Sequence, residues 1–220
     1  MKQENILKTV ADSIVVGDGT LAREAAERAL DAGMPAQEVV NDGLVVGMRI
    51  IGEQWKTLEI FLPEVMLAVE AWRSAMEVVG PSLSAEAKDS LKKGVVVLGS
   101  VKGDIHEIGK NIVGILLETA GFEVHDIGYD NPASAFVTAA EKANADIIAA
   151  SALMTTTMPY QKEIVDYLVD QGLRDKYFVM VGGGPVSAEW AAQIGADAHG
   201  RTAEDAVRLA LEHMQRRQNA

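Results

Sequence analysis

Apolar residues in the first eighty positions recur every three or four residues, which is the spacing of amphipathic helices. Glycine and proline between these stretches indicate short loops, so the region is predicted to form a bundle of four helices. The inward-facing residues are expected to be Ile6, Val10 and Ile14 on the first helix, Val40, Leu44, Met48, Ile51 and Trp55 on the third, and Leu62, Val65, Met66, Val69, Trp72, Met76 and Val79 on the fourth.

Capping and linker residues indicate where these elements begin and end. Thr20 is expected to cap the second helix, because a hydroxyl there can accept a hydrogen bond from a backbone N–H. Gly33 is expected to end that helix, and Pro35 to open the third. A polar stretch with proline, serine and lysine then indicates a linker. The predicted domains are a helical bundle at 1–80, a linker at 81–93 and a second domain at 94–220.

From residue 94 the pattern changes, and short apolar runs rich in valine, isoleucine and alanine alternate with amphipathic stretches. The predicted strands are 95–98, 122–127, 145–150, 177–181 and 196–199, and the predicted helices are 108–120, 133–142, 158–172, 187–194 and 202–217. This alternation predicts a doubly wound, five-stranded parallel sheet of the Rossmann-like or flavodoxin-like kind. The predicted fold class is therefore a helical bundle followed by an α/β domain.

Composition narrows the possible partners. The chain has 220 residues, 48% of them hydrophobic, and a net charge of -12. Acidic residues exceed basic ones in both halves, which disfavours nucleic acid as a partner. There are no cysteines, which excludes disulfides and thiolate metal sites. No stretch approaches the roughly 20 apolar residues of a membrane span, and the first residues lack an apolar signal region, so we expect a cytoplasmic protein.

The candidate chemistry follows the predicted strands directly. D-x-H-x-x-G at 104–109 follows the first strand, residues 128–132 the second, the hydroxyl-rich 151–157 the third and a glycine triplet at 182–184 the fourth. Because the carboxyl ends of parallel strands meet at one edge of the sheet, these loops are expected to converge there. Simpler explanations exist when each is taken alone. D-x-H-x-x-G could be a turn with a hydrogen-bonded histidine, the hydroxyl-rich stretch a helix cap, and the glycine triplet a flexible turn.

His106 is the candidate metal ligand of this cluster. Asp104, two residues away, can hold one imidazole nitrogen while the other points at a metal. The four histidines are well separated along the chain, which disfavours a site built from several of them. A single imidazole suffices when the metal arrives already chelated, as in a tetrapyrrole-type cofactor.

Other common site chemistries lack their motifs. No G-x-G-x-x-G follows the first strand, so the dinucleotide fingerprint is absent. Gly109-Lys110-Asn111 lacks the hydroxyl and the glycine spacing of a P-loop, and no G-x-S-x-G elbow accompanies the histidine.

Three motifs occur in the order that characterises cobalamin-binding domains: D-x-H-x-x-G at 104–109, S-x-L at 151–153 and G-G at 182–183. The run DIHEIGKNIVG is similar to a stretch of cobalamin-dependent methionine synthase, and the segments IGEQW and IFLPEVMLA resemble the cap module of that enzyme. Over nearly its whole length the chain resembles the small corrinoid proteins of anaerobic methyltransferase systems. Those systems use methylamines, methanol, glycine betaine or aryl methyl ethers.

The resemblance implies a role for each residue of these motifs. His106 would be the lower axial ligand of cobalt in a base-off, His-on state, replacing the cofactor's dimethylbenzimidazole. Asp104 would hydrogen-bond His106, and Thr157, which stands where methionine synthase has a serine, would extend this relay. The other cofactor-binding residues would be Ile105 and Gly109 beside the corrin, Ser151, Leu153, Thr155, Gly182 and Gly183 around the nucleotide tail, and Phe61, Leu62, Val65 and Met66 as a lid over the upper face.

The function implied by the resemblance is that of a methyl carrier. Co(I) cobalamin, or a related corrinoid, would accept a methyl group through a substrate-specific methyltransferase. A second methyltransferase would then pass the group from methyl-Co(III) to tetrahydrofolate or to a thiol such as coenzyme M. A reductive activase is a further expected partner, and nucleic acid and membrane are not. The chain is not expected to be a complete enzyme by itself.

Three alternatives remain open at this point. A cobalamin-based sensor shares both modules but usually adds a basic DNA-binding segment, whereas the first ninety residues here are net acidic. A mutase subunit would need a separate barrel for substrate and generally lacks the helical cap. Residues 60–62 could also simply staple the bundle together instead of forming a lid.

Overall fold

The structure is a computed structural model that describes residues 3–84, 87 and 92–218. The chain divides into two compact units, residues 1–91 and 92–220. Residues 85, 86 and 88–91 of the predicted linker lie outside the described residues, and the proposed domain boundaries stay a prediction. Within the described ranges, no helix combines the length and the apolar character needed to span a membrane.

The first unit is the helical bundle that the sequence predicts. Its main helices are α1 (Gln3–Val16), α2 (Gly19–Asp31), α3 (Val45–Lys56) and α4 (Leu62–Val79). A short α-helical turn (Ala36–Glu38) and a π-helical segment (Val39–Leu44) precede α3, and a 3₁₀ turn (Gly80–Ser82) follows α4. The π-helical segment is not visible in the sequence pattern, because its buried residues keep nearly the same spacing as those of an α-helix.

Small residues allow these helices to pack closely. A Cβ atom on Gly47 would lie 2.7 Å from Cβ of Ile14, so only glycine lets α1 come so near. The facing sides of α2 and α4 are lined with buried alanines, namely Ala22, Ala25, Ala26 and Ala29 on α2 and Ala68, Ala71 and Ala75 on α4. This alanine face does not stand out in the sequence, because the spacing of the large apolar residues does not include it.

Three local expectations for the bundle were wrong. The cap of α2 is Asp18, whose carboxylate accepts hydrogen bonds from the backbone N–H groups of Thr20 and Leu21. Pro35 is the residue before a helix rather than its first residue. Met66 was expected to face inward, but it is 50% exposed, because the alanines beside it form the buried stripe.

Leu58 has an unusual backbone conformation in the turn between α3 and α4. Its φ is +60°, and it follows the last residues of α3 at a position where helices commonly end with glycine. The side chain is 73% exposed, so burial recovers little of the cost of this conformation. We expect Leu58→Gly to raise the free energy of unfolding by about 1 kcal/mol, measured by urea denaturation. Leu58→Ala is the matched control, because it shortens the side chain but keeps the strain. An unchanged or lower stability of the glycine variant would contradict this.

The second unit alternates strands and helices, as predicted. The strands are β1 (Val95–Ser100), β2 (Glu123–Asp126), β3 (Ile147–Ser151), β4 (Phe178–Gly182) and β5 (Ala198–Gly200). The helices are α5 (Ile108–Thr119), α6 (Ala133–Ala143), α7 (Pro159–Asp170), α8 (Ala188–Ile194) and α9 (Ala203–Gln218), and a 3₁₀ turn (Arg174–Lys176) precedes β4. These bounds differ from the expected ones by at most two residues.

All pairings in the sheet are parallel, in the order β2-β1-β3-β4-β5. Of the two expected topologies, the order is thus the flavodoxin-like one. Neighbouring residues of each central strand point to opposite faces: Val97 and Ile148 pack with α6 and α7, and Val96 and Ile147 pack with α5 and α9. The chain reverses its direction of winding between β1 and β3, and ligands of open α/β sheets bind outside the strand ends at such a point.

Candidate functional site

The loops that follow β1 and β3 meet at the carboxyl edge of the sheet. Asp104, Ile105 and His106 lie between β1 and α5, and the loop after β3 contains Leu153 and Thr157. The backbone N–H of Val101 donates to the carbonyl of Ser151, which extends the pairing of the two strands into the loops. The structure therefore brings the first two predicted motifs together.

Asp104 lies at the centre of this cluster, and its side chain is almost completely buried. Its Oδ1 accepts from Nδ1 of His106 at 2.7 Å and from the His106 backbone N–H at 3.1 Å. Its Oδ2 accepts from the Leu153 N–H and from Oγ1 of Thr157, both at 2.7 Å. With four donors, the carboxylate is held in one orientation and cannot rotate away from the histidine.

The electrostatic balance keeps Asp104 ionised. Burial raises the pKa of its carboxyl, but the hydrogen bonds from Thr157, Leu153 and His106 outweigh burial and lower the pKa to about 2. Because an ionised carboxylate can only accept, Nδ1 of His106 must carry the proton of that hydrogen bond. The neutral imidazole then has its lone pair on Nε2. Within the described part of the chain, Nε2 has no hydrogen-bond partner, and the side chain is 45% exposed.

Ser100 also holds this loop in place, although it belongs to none of the predicted motifs. It is fully buried at the end of β1, and its hydroxyl donates to the carbonyl of His106 at 2.7 Å. The backbone of His106 is thus held at its N–H by the Asp104 carboxylate and at its carbonyl by the Ser100 hydroxyl. A serine at a strand end has no distinctive spacing, so nothing in the sequence indicated this contact.

Several apolar side chains in the loops at this edge of the sheet are exposed. Ile105 is 68% exposed and Ile108 is 82% exposed, and Tyr129, Leu153 and Met154 are also exposed at this edge. A Cβ atom on Gly109 would meet nothing within 4 Å, so the space above this glycine is open. A concentration of exposed apolar side chains around one imidazole is typical of a site that a large apolar ligand covers.

The glycine triplet follows β4, next to the loop that follows β3. Gly183 has a φ of +126°, and a Cβ atom there would lie 1.8 Å from the carbonyl oxygen of Ala152. A Cβ atom on Gly184 would lie 3.2 Å from Cδ1 of Leu153. Glycine is therefore required at Gly183 for the two loops to approach so closely. The S-x-L and G-G motifs are adjacent in the structure, as the sequence predicts for loops at one edge.

Gln161 is a second residue of the site that belongs to none of the predicted motifs. It is fully buried, and its side-chain amide donates to the carbonyls of Ala150 and Gly182, at 2.9 and 3.0 Å. Its oxygen accepts from Nε1 of Trp190 on α8 at 3.0 Å. The Gln161 side chain thus joins the carboxyl ends of β3 and β4, where the S-x-L and G-G motifs begin.

The remaining predicted site residues differ in how far they are exposed to solvent. Thr155 is exposed, and Ser151 and Gly182 are half-buried opposite each other in the sheet register. The expected lid residues belong to the first unit, where Phe61 and Met66 are exposed. Of the other two, Leu62 is half-buried and Val65 is fully buried. Their role as a lid stays a prediction.

These features define the class of site. Among residues 3–84, 87 and 92–218, no three histidine, aspartate or glutamate side chains are grouped closely enough to hold a bare metal ion. His106 offers one nitrogen donor instead, among apolar side chains and beside open space. This donor set fits a metal that is already chelated by a large planar ring, and the second unit is accordingly a flavodoxin-like domain of the kind that binds such a cofactor.

Comparisons with known proteins agree with this class. A family model described as a B12 binding domain matches residues 94–210, and a second B12 binding domain model matches residues 6–79. The chain is 44% identical to a corrinoid protein of Desulfitobacterium hafniense over 94% of this chain and 96% of that protein. It is also 44% identical to trimethylamine corrinoid protein 1 of Methanosarcina acetivorans, over 93% of this chain and 95% of that protein.

Solved structures give the same result. The methanol:cobalamin methyltransferase complex MtaBC from Methanosarcina barkeri matches with a TM-score of 0.89 and 33% identity, over 96% of this chain and 80% of that chain. The monomethylamine corrinoid protein of Methanosarcina barkeri matches with a TM-score of 0.54 and 38% identity, over 95% and 98%. The chain belongs to the family of B12-binding corrinoid proteins, and its cofactor is a corrinoid.

Proposed function

We propose that this chain is a methyl carrier, which holds a corrinoid through His106 and receives and delivers methyl groups through partner methyltransferases. The observation that carries the proposal is the pairing of a buried, ionised Asp104 with Nδ1 of a half-exposed His106. This pairing supports Nε2 as the lower ligand of the cobalt, in a base-off, His-on state. When bound, the corrinoid supplies a cobalt centre that takes up a methyl group as Co(I) and gives it to an acceptor.

The chain's own residues control the lower ligand. Asp104 orients the ring and makes Nε2 a stronger donor, as carboxylates do for metal-binding histidines generally. The Thr157 hydroxyl and the Leu153 N–H donate to the other carboxylate oxygen, so the carboxylate that orients the imidazole is itself held in place. With a corrinoid bound, Nε2 would be the atom offered to the metal, while Asp104 would keep the proton on Nδ1 through its hydrogen bond.

The partner and the methyl donor are inferred from the relatives. Similar proteins are named for trimethylamine and dimethylamine, and one similar structure is a complex with a methanol methyltransferase. These names support methylamines or methanol as the methyl source and a substrate-specific methyltransferase as the first partner. A second methyltransferase acting on tetrahydrofolate or a thiol, and a reductive activase, complete the proposed system.

A methylation assay tests the carrier function. The reconstituted protein, reduced with titanium(III) citrate, is mixed with purified methyltransferases for trimethylamine, dimethylamine, monomethylamine or methanol, each with its substrate. We expect one of them to convert the Co(I) absorption spectrum to that of the methylated cofactor. Free cobalamin at the same concentration is the control, because it lacks the protein surface that a methyltransferase would recognise. Stable adenosylation of the protein, with no methylation by any of the four enzymes, would favour the mutase alternative.

A further inference from the structure

Asp130, in the loop between β2 and α6, is bonded in both directions to the loop that contains His106. Its Oδ1 accepts from the Gly103 N–H at 2.7 Å, and its own N–H donates to the Asp104 carbonyl at 3.0 Å. The two residues that it contacts lie three and two positions before the histidine. The loops after β1 and β2 are therefore joined next to the candidate cobalt ligand.

Asp130 also has an unusual backbone conformation. Its φ is +55°, in the left-handed region, although it is not a glycine. Its partner Gly103 also has a positive φ, +76°. A non-glycine residue in this region costs free energy, and aspartate pays less than most because its short side chain can hydrogen-bond nearby backbone. The reciprocal pair of hydrogen bonds offsets this cost and fixes the position of Asp130.

The next residue strengthens the same junction. The backbone N–H and Nδ2 of Asn131 both donate to the carbonyl of Ser100, at 3.1 and 3.2 Å. Ser100 in turn donates its hydroxyl to the His106 carbonyl. The loop of residues 101–106 is thus held at its start by Asn131, at its middle by Asp130 and at its end by Ser100. Only the middle contact is made by a charged side chain that is exposed to solvent.

The middle contact matters because Gly103 lies in the turn that leads into Asp104, whose N–H donates to the Val101 carbonyl at 3.0 Å. Gly103 is exposed, it has no side chain to anchor it, and a Cβ atom there would meet nothing closer than 3.8 Å. Without the Asp130 carboxylate, the Gly103 N–H would lose its partner, and the turn before His106 would be held less firmly. The four hydrogen bonds to the Asp104 carboxylate fix the ring of His106 relative to that residue, but they do not fix the loop against the β2 side of the site.

We propose that Asp130 is a positioning residue, which holds the His106 loop in the conformation that presents Nε2 to the cobalt. The proposal rests on the proposed role of His106 as the cobalt ligand. It adds that the ligand's loop is held by a carboxylate from a neighbouring strand's loop, a residue outside the three motifs of the cobalamin-binding signature.

The test uses the full-length protein with Co(II) cobinamide, a corrinoid that lacks the nucleotide tail and so has no base of its own. An axial nitrogen must then come from the protein, and it splits the Co(II) electron paramagnetic resonance signal into triplets. Asp130→Gly removes the carboxylate and keeps the left-handed backbone without strain. Asp130→Asn keeps an acceptor oxygen. Asn144→Gly is the matched control, because Asn144 has a φ of +49° at the far end of α6.

We expect Asp130→Gly to weaken nitrogen ligation about tenfold, as measured by the triplet amplitude against cobinamide concentration. Asp130→Asn is expected to restore most of the signal, and Asn144→Gly to match the unmodified protein. Full ligation in Asp130→Gly, an equal loss in Asp130→Asn, or an equal loss in Asn144→Gly would each overturn the proposal.

One result separates this proposal from the proposed function itself. If the unmodified protein binds cobinamide without triplet splitting, the assignment of His106 as ligand fails, and the role of Asp130 fails with it. If the unmodified protein shows the triplets and His106→Ala removes them, the ligand assignment stands. The behaviour of the Asp130 variants then decides the positioning role alone.

Discussion

Replacing His106 by alanine is expected to remove the protein's nitrogen from the cobalt while the corrinoid remains bound. In the unmodified protein, Asp104 keeps the proton on Nδ1 and leaves the Nε2 lone pair available. The described residues contain no group of three or more histidine, aspartate or glutamate side chains that could hold a metal ion, and the loop between β1 and α5 contains no second histidine. The exposed apolar residues at this edge of the sheet, such as Ile105 and Ile108, are unchanged in the variant, and we expect them still to pack against the corrinoid.

Isotope labelling identifies the ligand directly. The protein is produced with histidine carrying the heavy nitrogen isotope and is reconstituted with Co(II) cobalamin. A histidine ligand then splits the paramagnetic resonance signal into doublets, whereas the cofactor's own unlabelled benzimidazole gives triplets. We expect doublets for the unmodified protein and their complete loss in His106→Ala. Triplets in the unmodified protein would contradict the base-off, His-on state.

Asp104→Asn is the matched variant for the relay. Asparagine has nearly the same shape as aspartate, but it is neutral and is a weaker acceptor for the Nδ1 proton. Changes of this kind behind a metal-bound histidine typically cost about tenfold to a hundredfold in metal affinity. The doublets should therefore persist at high cofactor concentration but with weaker binding. Complete loss in both variants would point to collapse of the loop instead of loss of a ligand.

The Gly183→Ala variant is expected to have the largest effect on stability. Its new Cβ atom would lie 1.8 Å from the carbonyl oxygen of Ala152, and the φ of +126° is one that alanine rarely adopts. Steric overlap and backbone strain together are expected to cost about 3 kcal/mol or more. The loops after β3 and β4 must then separate, which would move the Leu153 N–H away from the Asp104 carboxylate to which it donates.

Urea unfolding of the cofactor-free protein, followed by circular dichroism, measures this cost. Gly109→Ala is the control, because a Cβ atom on Gly109 meets nothing within 4 Å. It should leave the cofactor-free protein as stable as before, or more stable by up to about 1 kcal/mol, since alanine favours the helix. If the corrin packs against Gly109, that variant loses corrinoid affinity without losing stability. Equal stability of Gly183→Ala and the unmodified protein would contradict the steric argument.

Much of this architecture could be predicted because it depends on local patterns. The period of the apolar residues changes from helical spacing in the first unit to alternating strands and helices in the second, and the observed elements follow that change. The position of D-x-H-x-x-G after the first strand of a parallel sheet was sufficient to place His106 at the ligand-binding edge. The three ordered motifs identified the family, which the B12 binding domain models confirm.

The features that the sequence did not predict were decided by a choice between neighbouring capping residues, by small side chains and by the conformation of a single residue. Asp18 caps α2 in place of Thr20, because its carboxylate accepts from the backbone N–H groups of Thr20 and Leu21. Met66 is exposed because alanines, which carry little hydrophobic signal, form the buried face of α4. The left-handed Leu58 could not be foreseen, since leucine disfavours that conformation.

The sequence alone determined the class of fold, the edge of the sheet that carries the site and the identity of the ligand candidate, since periodicity and motif order are properties of neighbouring residues. The tertiary structure decided what holds that ligand in place. The bonds of Asp104 to Leu153 and Thr157, of Asp130 to Gly103, and of Gln161 to two strand ends join loops that only the folded sheet brings together. Such hydrogen bonds form only when donor and acceptor lie about 3 Å apart, to within a few tenths of an ångström, and the spacing of residues along the chain does not predict such positions.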